Sequence, residues 1–233
     1  MTPGIGARRD GVLDELNAVA DPTRKPGMAR VGINIERALG VSIPDCRSIA
    51  ASHHDDHALA LALWKTGIHE ARITAAMIDR IDDVTDDQME AWVEDFDSWD
   101  VCDQVCLNLF SKTASALSTA RRWCARDEEF VKRAGYSMIA ERAASGVGVS
   151  DAELLRQLPL IRRGATDERN YVKKAVSWSL RQIGKRNISL NQAAIEEAER
   201  IATIDSKAAR WVATDALREL RSDEVQARLR AKS

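Results

Sequence analysis

Three eight-residue stretches decide how this chain reads: Lys132-Arg-Ala-Gly-Tyr-Ser-Met-Ile139, Lys173-Lys-Ala-Val-Ser-Trp-Ser-Leu180 and Lys207-Ala-Ala-Arg-Trp-Val-Ala-Thr214. The first two align without gaps and the third is a looser copy. Glu70-Ala-Arg-Ile-Thr-Ala-Ala-Met has the same texture. Lys132 and Lys173 lie 41 residues apart, and Lys173 and Lys207 lie 34 apart. Helix pairs recurring at that interval suggest an α-solenoid of HEAT-like or armadillo-like repeats, where each unit buries its apolar face only against its neighbours. Alanines at matching places suit close helix packing. An irregular helical bundle is the other arrangement these residues allow.

Working outward, the apolar spacing is helical almost everywhere. It predicts helices over Ala29–Leu39 (ending at Gly40), from Ser42-Ile-Pro-Asp onward, and over His57–Thr66 (ending at Gly67). Further helices are predicted over Ile68–Ile81, Asp86–Phe96, Trp99–Leu117, Asp127–Ala144, Asp151–Arg162, Asp167–Gly184, Leu190–Ala202 and Ser206–Leu220. Only 5 of 233 residues are Pro, 12 are Gly and 5% are aromatic, a balance that disfavours a β-sandwich or barrel. The fold class is all-α. Residues 1–27, rich in Gly, Pro and charge, read as a flexible N-terminal arm with one short helix near Gly11–Ala20; residues 28–233 read as a single repeat domain.

No stretch approaches the ~18 uncharged apolar residues of a membrane span, so no membrane partner is expected. Met1–Leu16 carries Arg8, Arg9, Asp10 and Asp14 with no apolar run, unlike a secretory leader. Four cysteines (Cys46, Cys102, Cys106, Cys124) are too few for a disulfide framework at this length, which points to a reduced, cytoplasmic chain.

The net charge of −2 conceals an asymmetry. Residues 1–100 hold 10 Lys+Arg against 19 Asp+Glu, whereas residues 101–233 hold 24 against 17. Arg156, Arg162, Arg163, Arg169, Lys173, Lys174, Arg181, Lys185 and Arg186 face only Asp167 and Glu168 within 156–186. Such a cluster fits a polyanion partner, and equally a solvated helical surface.

Chemistry is most concentrated in Asp97-Ser-Trp-Asp-Val-Cys-Asp-Gln-Val-Cys106. Trp99 and Asp103 are four apart, so a helix puts them on one face. An aromatic plane beside a carboxylate suits a cationic or oxocarbenium-like species. A buried Trp beside a capping Asp would give the same spacing.

With these residues in view, the chain resembles the DNA alkylation repair (AlkD-like) family of alkylpurine DNA glycosylases, which are built from HEAT-like repeats. The resemblance runs over roughly residues 28–220. It is carried by Leu39-Gly-Val-Ser-Ile-Pro-Asp-Cys-Arg, Leu63-Trp-Lys-Thr-Gly-Ile-His-Glu-Ala-Arg and Trp99-Asp-Val-Cys-Asp, and continues in Phe130-Val-Lys-Arg-Ala and Lys174-Ala-Val-Ser-Trp-Ser-Leu-Arg. It implies a concave DNA-binding face on which Asp103 matches the family's essential aspartate. Trp99 and Trp178 match its two tryptophans, and Arg133 matches an arginine near the DNA backbone. It further implies hydrolysis of the N-glycosidic bond of N3- or N7-alkylated, cationic purines in double-stranded DNA without base flipping, and it calls for no cofactor. One departure stands out: the family's tyrosine near Val31 is missing, since no tyrosine precedes Tyr136.

Arg162, Arg163, Lys173, Lys174, Arg181, Lys185 and Arg186 are the expected phosphate contacts, giving salt-dependent affinity. His53-His-Asp-Asp-His57 has metal-ligand types but reads as a polar loop and helix cap, and Cys102 with Cys106 lacks a second pair, so no metal is expected. His69-Glu70 lacks a following His-Glu-x-x-His pattern. Trp64, Trp92, Trp123 and Trp211 read as core. There is no P-loop, nucleophile elbow or dinucleotide-binding turn. The expectation is therefore a DNA glycosylase for which a monomer suffices. The alternative is a catalytically inactive HEAT-like module that binds DNA or a protein partner.

Overall fold

Six α-helices among the described residues start where a short polar side chain catches a free backbone N–H. Ser42, Asp56, Thr85, Ser150, Asn187 and Ser206 each accept from the N–H three residues on, and Ser150 with Glu153 completes a reciprocal capping box. In the computed structural model, which describes residues 4–146 and 148–231, regular structure among the described residues is entirely helical. It is an α-solenoid-type array of HEAT-like helical repeats.

The chain divides into two compact units, Met1–Thr113 and Ala114–Ser233. The first contains α1 (Ile5–Ala18), α2 (Lys25–Arg30), α3 (Ile43–Ala51), α4 (His57–Trp64), α5 (His69–Ile78), α6 (Asp86–Glu94) and α7 (Trp99–Asn108). Helix α5 lies at its centre, packed against α3, α4 and α7, with eight of its ten residues buried. The second unit contains α8 (Ala116–Trp123), α9 (Glu129–Ser145), α10 (Asp151–Leu155), α11 (Leu158–Gly164), α12 (Asn170–Gly184), α13 (Ile188–Ala202), α14 (Lys207–Leu220) and α15 (Asp223–Ala231). Here the three repeat stretches become one layer: α9 packs on α12 and α12 on α14. Helices α8, α11 and α13 back them in turn. The matching alanines Ala134, Ala175 and Ala209 are buried.

Several boundaries differ from those expected. The predicted arm 1–27, whose residues 1–3 lie outside the described ones, is helical from Ile5. Val12 and Leu16 of α1 are fully buried in contact with α3 and α4. Burying two such side chains contributes about 2 kcal/mol each.

The expected helix Ala29–Leu39 does not form; α2 stops at Arg30 and the chain runs non-helical to Ser42. Its far end is claimed by Glu70, a buried carboxylate on α5. That side chain accepts from the N–H groups of Leu39 (2.8 Å), Gly40 (2.7 Å) and Val41 (3.2 Å). Gly40 adopts φ +86°, and a Cβ there would stand 2.1 Å from the Asp21 carbonyl oxygen, so only glycine closes this turn.

The predicted helix Trp99–Leu117 breaks at Leu109 (φ −129°, ψ −70°), passes through a 3-10 turn at Phe110–Lys112 and restarts as α8. Asp151–Arg162 is split at Gln157, which is buried and whose Nε2 donates to the Glu153 carbonyl at 2.6 Å; Pro159 then opens α11. Helix α15 was not anticipated by the apolar spacing.

Candidate functional site

Helix α7 buries Val101, Cys102, Val105 and Cys106, which turns Trp99 and Asp103 to the margin of the core. Both are half-buried, and the expected i, i+4 pairing on one helix holds. The indole of Trp99 is tethered: its Nε1 donates to the Val31 carbonyl oxygen at 3.1 Å. The position where the family pattern carries a tyrosine is thus beside this tryptophan, occupied by an exposed valine.

The first turn of α7 is fixed from α5. His69 Nε2 lies 2.9 Å from Asp100 Oδ2, and the Ser98 hydroxyl donates to Asp100 Oδ1 at 2.5 Å. Burial disfavours the charged imidazole of His69, but the adjoining Asp100 carboxylate outweighs it and raises the pKa above the usual histidine value. Reciprocally, burial would raise Asp100, yet hydrogen bonding and the charge of His69, with Ser98, hold it below the usual carboxylate range. Just before α7, Asn34 Nδ2 donates to Asp97 Oδ2 at 2.8 Å, a second tie to the 31–42 loop.

The Leu63–Arg72 block therefore positions α7 and that loop. Glu70 pins residues 39–41 and His69 pins Asp100. Trp64 stacks on Trp92 with centroids 4.0 Å apart, donates to Asp95 at 2.8 Å, and carries the Arg72 guanidinium 5.0 Å from its ring centroid. These roles were not legible in the sequence, where only the spacing of Trp99 and Asp103 signalled a site.

The remaining expected residues lie in the second unit. Lys174, Trp178, Arg181 and Lys185 fall at i, i+4, i+7 and i+11, one face of α12. Lys174 is exposed and Trp178 half-buried. Arg181 is paired with Asp215 and Glu219, and Lys185 bonds Glu219 at 2.6 Å. Arg186 reaches Asp151 at 3.4 Å and the Val149 carbonyl at 3.0 Å. Arg162 lies 3.4 Å from Glu197, while Arg163 is exposed. Arg133 is buried, with Nη1 donating to the Tyr171 carbonyl at 2.6 Å.

Lys173 stands 5.4 Å from the ring centroid of Trp211, which is 38% exposed. That corrects the reading of Trp211 as core; Trp64, Trp92 and Trp123 are buried as expected.

The histidines of the 53–57 run each face a different carboxylate: His53 meets Glu15 (2.9 Å), His54 meets Asp55 (3.0 Å) and His57 meets Asp79 (2.7 Å). All four cysteines are buried free thiols, and burial pushes Cys46 and Cys124 up to about 12. Among the described residues no helix is long and apolar enough to cross a membrane.

Helix order and packing together define a helical-repeat protein. The sequence matches the family described as DNA alkylation repair enzyme over residues 12–220, and the chain belongs to that family. A solved structure similar in fold is reported as "A new family of proteins related to the HEAT-like repeat DNA glycosylases with affinity for branched DNA structures". It is 19% identical, with 90% of this chain and 94% of that chain covered and a TM-score of 0.75. A designed armadillo repeat protein in complex with the peptide (KR)4 aligns at 15% identity over 81% of this chain and 80% of its own, with a TM-score of 0.40. No curated protein matches the sequence.

Proposed function

We propose that this chain is a DNA glycosylase that releases N3- or N7-alkylated purines from duplex DNA without flipping the base, acting as a monomer in the cytoplasm. The observation that carries this reading is the half-buried Trp99–Asp103 pair on α7, a helix tied to His69 through Asp100 and to the Val31 carbonyl through Trp99.

The chemistry follows from the leaving group. An alkylated purine already carries positive charge, so the C1′–N bond breaks with its electron pair passing to the base and little acid assistance. Charge then develops on the deoxyribose. The Asp103 carboxylate stabilises it and orients a water whose oxygen bonds to C1′ while its proton leaves to the carboxylate or to solvent. The products are a free alkylpurine and an abasic site. Trp99 supplies an aromatic face toward the cationic sugar. Lys174, Arg163 and Lys173 are the side chains best suited to phosphates, since none of them forms a salt bridge with a described residue. Arg133, Arg162, Arg181, Lys185 and Arg186 complete the basic set, each after exchanging or sharing an internal partner.

Release of 7-methylguanine and 3-methyladenine from methylated duplex DNA tests this, with Asp103→Asn alongside. Release by the parent and not by the variant supports the assignment; equal rates would remove Asp103 from it.

A second reading, a non-catalytic DNA-binding module, draws on the missing tyrosine at Val31 and on the affinity for branched DNA ascribed to the similar structure. It predicts salt-dependent binding with no base release by the parent.

A further inference from the structure

The three repeat stretches share a register in which Tyr136, Ser177 and Trp211 are equivalent. In the first two copies this residue serves the fold. Tyr136 is buried and its hydroxyl donates to the Leu160 carbonyl at 3.2 Å; Ser177 is buried and donates to Asp215 at 2.7 Å. In the third copy the same register holds an indole that is 38% exposed. Packing does not call for it there.

Trp211 forms a wall of a cavity of about 350 Å³, lined also by Glu168, Lys173, Lys207 and Ala208. Lys173 Nζ lies 5.4 Å from the ring centroid. Neither Lys173 nor Lys207 makes a salt bridge to a described residue. Both lie in the first turn of their helices, where the helix dipole disfavours a cation, so local stability does not explain them either. The site combines an accessible aromatic plane with two ammonium groups against one carboxylate. Single-stranded nucleic acid is bound by that combination, with bases stacking on the ring and phosphates meeting the cations.

We propose that Trp211, Lys173 and Lys207 form a stacking site for an unpaired nucleobase on a single-stranded arm of DNA. It uses residues separate from Trp99 and Asp103 and rests on the DNA-binding reading above. The exposed part of the indole receives the base, and Lys173 and Lys207 contact the flanking phosphates.

Equilibrium binding of the full chain to a fluorescently labelled blunt duplex, and to the same duplex carrying a single-stranded arm, tests the proposal. The parent favours the armed DNA. Trp211→Ala weakens that complex about tenfold and leaves the blunt duplex unchanged, as expected for loss of one stacked base. Trp211→Phe retains most of the preference. Lys207→Gln lowers the salt slope for armed DNA by about one unit.

Equal weakening of both complexes by Trp211→Ala, or of neither, would overturn the proposal. So would a change of sedimentation in Trp211→Ala, which would make the patch a contact between copies of this chain. Binding of the blunt duplex without preference for the arm removes this site alone, whereas no binding of either DNA removes the function proposed above as well.

Discussion

The two units hold their helices in place by different means. Residues 1–113 carry 11 Lys+Arg against 20 Asp+Glu, and residues 114–233 carry 23 against 16. In the first unit several of the acids are structural. Glu70 caps the 39–41 turn, Asp100 holds His69, and Asp79 holds His57 with Gln88 donating at 2.6 Å. In the second unit, regular helix pairs approach closely through small residues. Gly164 is an example, since a Cβ there would stand 2.0 Å from the Tyr136 hydroxyl oxygen. Buried carboxylates can fix an irregular loop against a helix, and that is what the Trp99–Asp103 helix needs. Repeating small residues stack helices and leave the long cations of their outer faces for other uses.

The largest effect that would break this contrast is at Glu70. Glu70→Ala removes a buried acceptor from three backbone N–H groups, and we expect a loss of about 3 kcal/mol in the first unit. Urea unfolding measures it, and a loss below about 1 kcal/mol would mean the loop is held by other contacts. Next comes Gly164→Ala, expected to cost about 2 kcal/mol by overpacking in the second unit. Tyr136→Phe, which removes the clashing hydroxyl, should recover part of that loss, a coupling read from the double-mutant cycle.

The His69–Asp100 pair gives a smaller, pH-dependent signature. His69 has its folded pKa raised, so its contribution is complete below the ordinary histidine value and is lost as pH rises through the folded one. Asp100 has its folded pKa lowered, so its contribution is present above the ordinary aspartate value and fades as pH falls through the folded one. The first unit is therefore expected to lose stability as pH rises from the ordinary histidine value of about 6.5 through the folded one, while His69→Gln flattens that limb. An unchanged limb in the variant would assign the slope to another group. The smallest effect concerns the basic surface: Lys174→Gln should reduce the slope of log affinity against log salt for duplex DNA by about one unit. Lys185→Gln, whose ammonium is engaged with Glu219, should reduce it less.

The same contrast explains what the sequence made visible. The second unit was legible because Lys-x-Ala spacing repeats at the helical interval and the structure stacks α9, α12 and α14 accordingly. The loop at 31–42 was not, because Ala29–Leu39 has helical apolar spacing and the carboxylate that overrides it comes from Glu70, about 30 residues away. The buried Gln157 is likewise engaged from a distance, its Oε1 accepting from Arg121 Nε at 3.3 Å. At the site, Trp99 and Asp103 announced themselves by spacing four. The tether to Val31 spans 68 residues and left no local trace. The acids that engage Arg181 and Lys185 arrive from α14, so a count of cations along 156–186 overstated the free positive charge. The apolar neighbours of Trp211 suggest core, yet its indole is 38% exposed although Tyr136 and Ser177, in the same register, are buried.

We propose that Asp103 on α7 carries the reaction, and base release from methylated duplex DNA is its test. The parent is expected to release 7-methylguanine and 3-methyladenine, with Asp103→Asn slowed at least about a hundredfold at unchanged DNA affinity. Release by Asp103→Asn at the parental rate would contradict it.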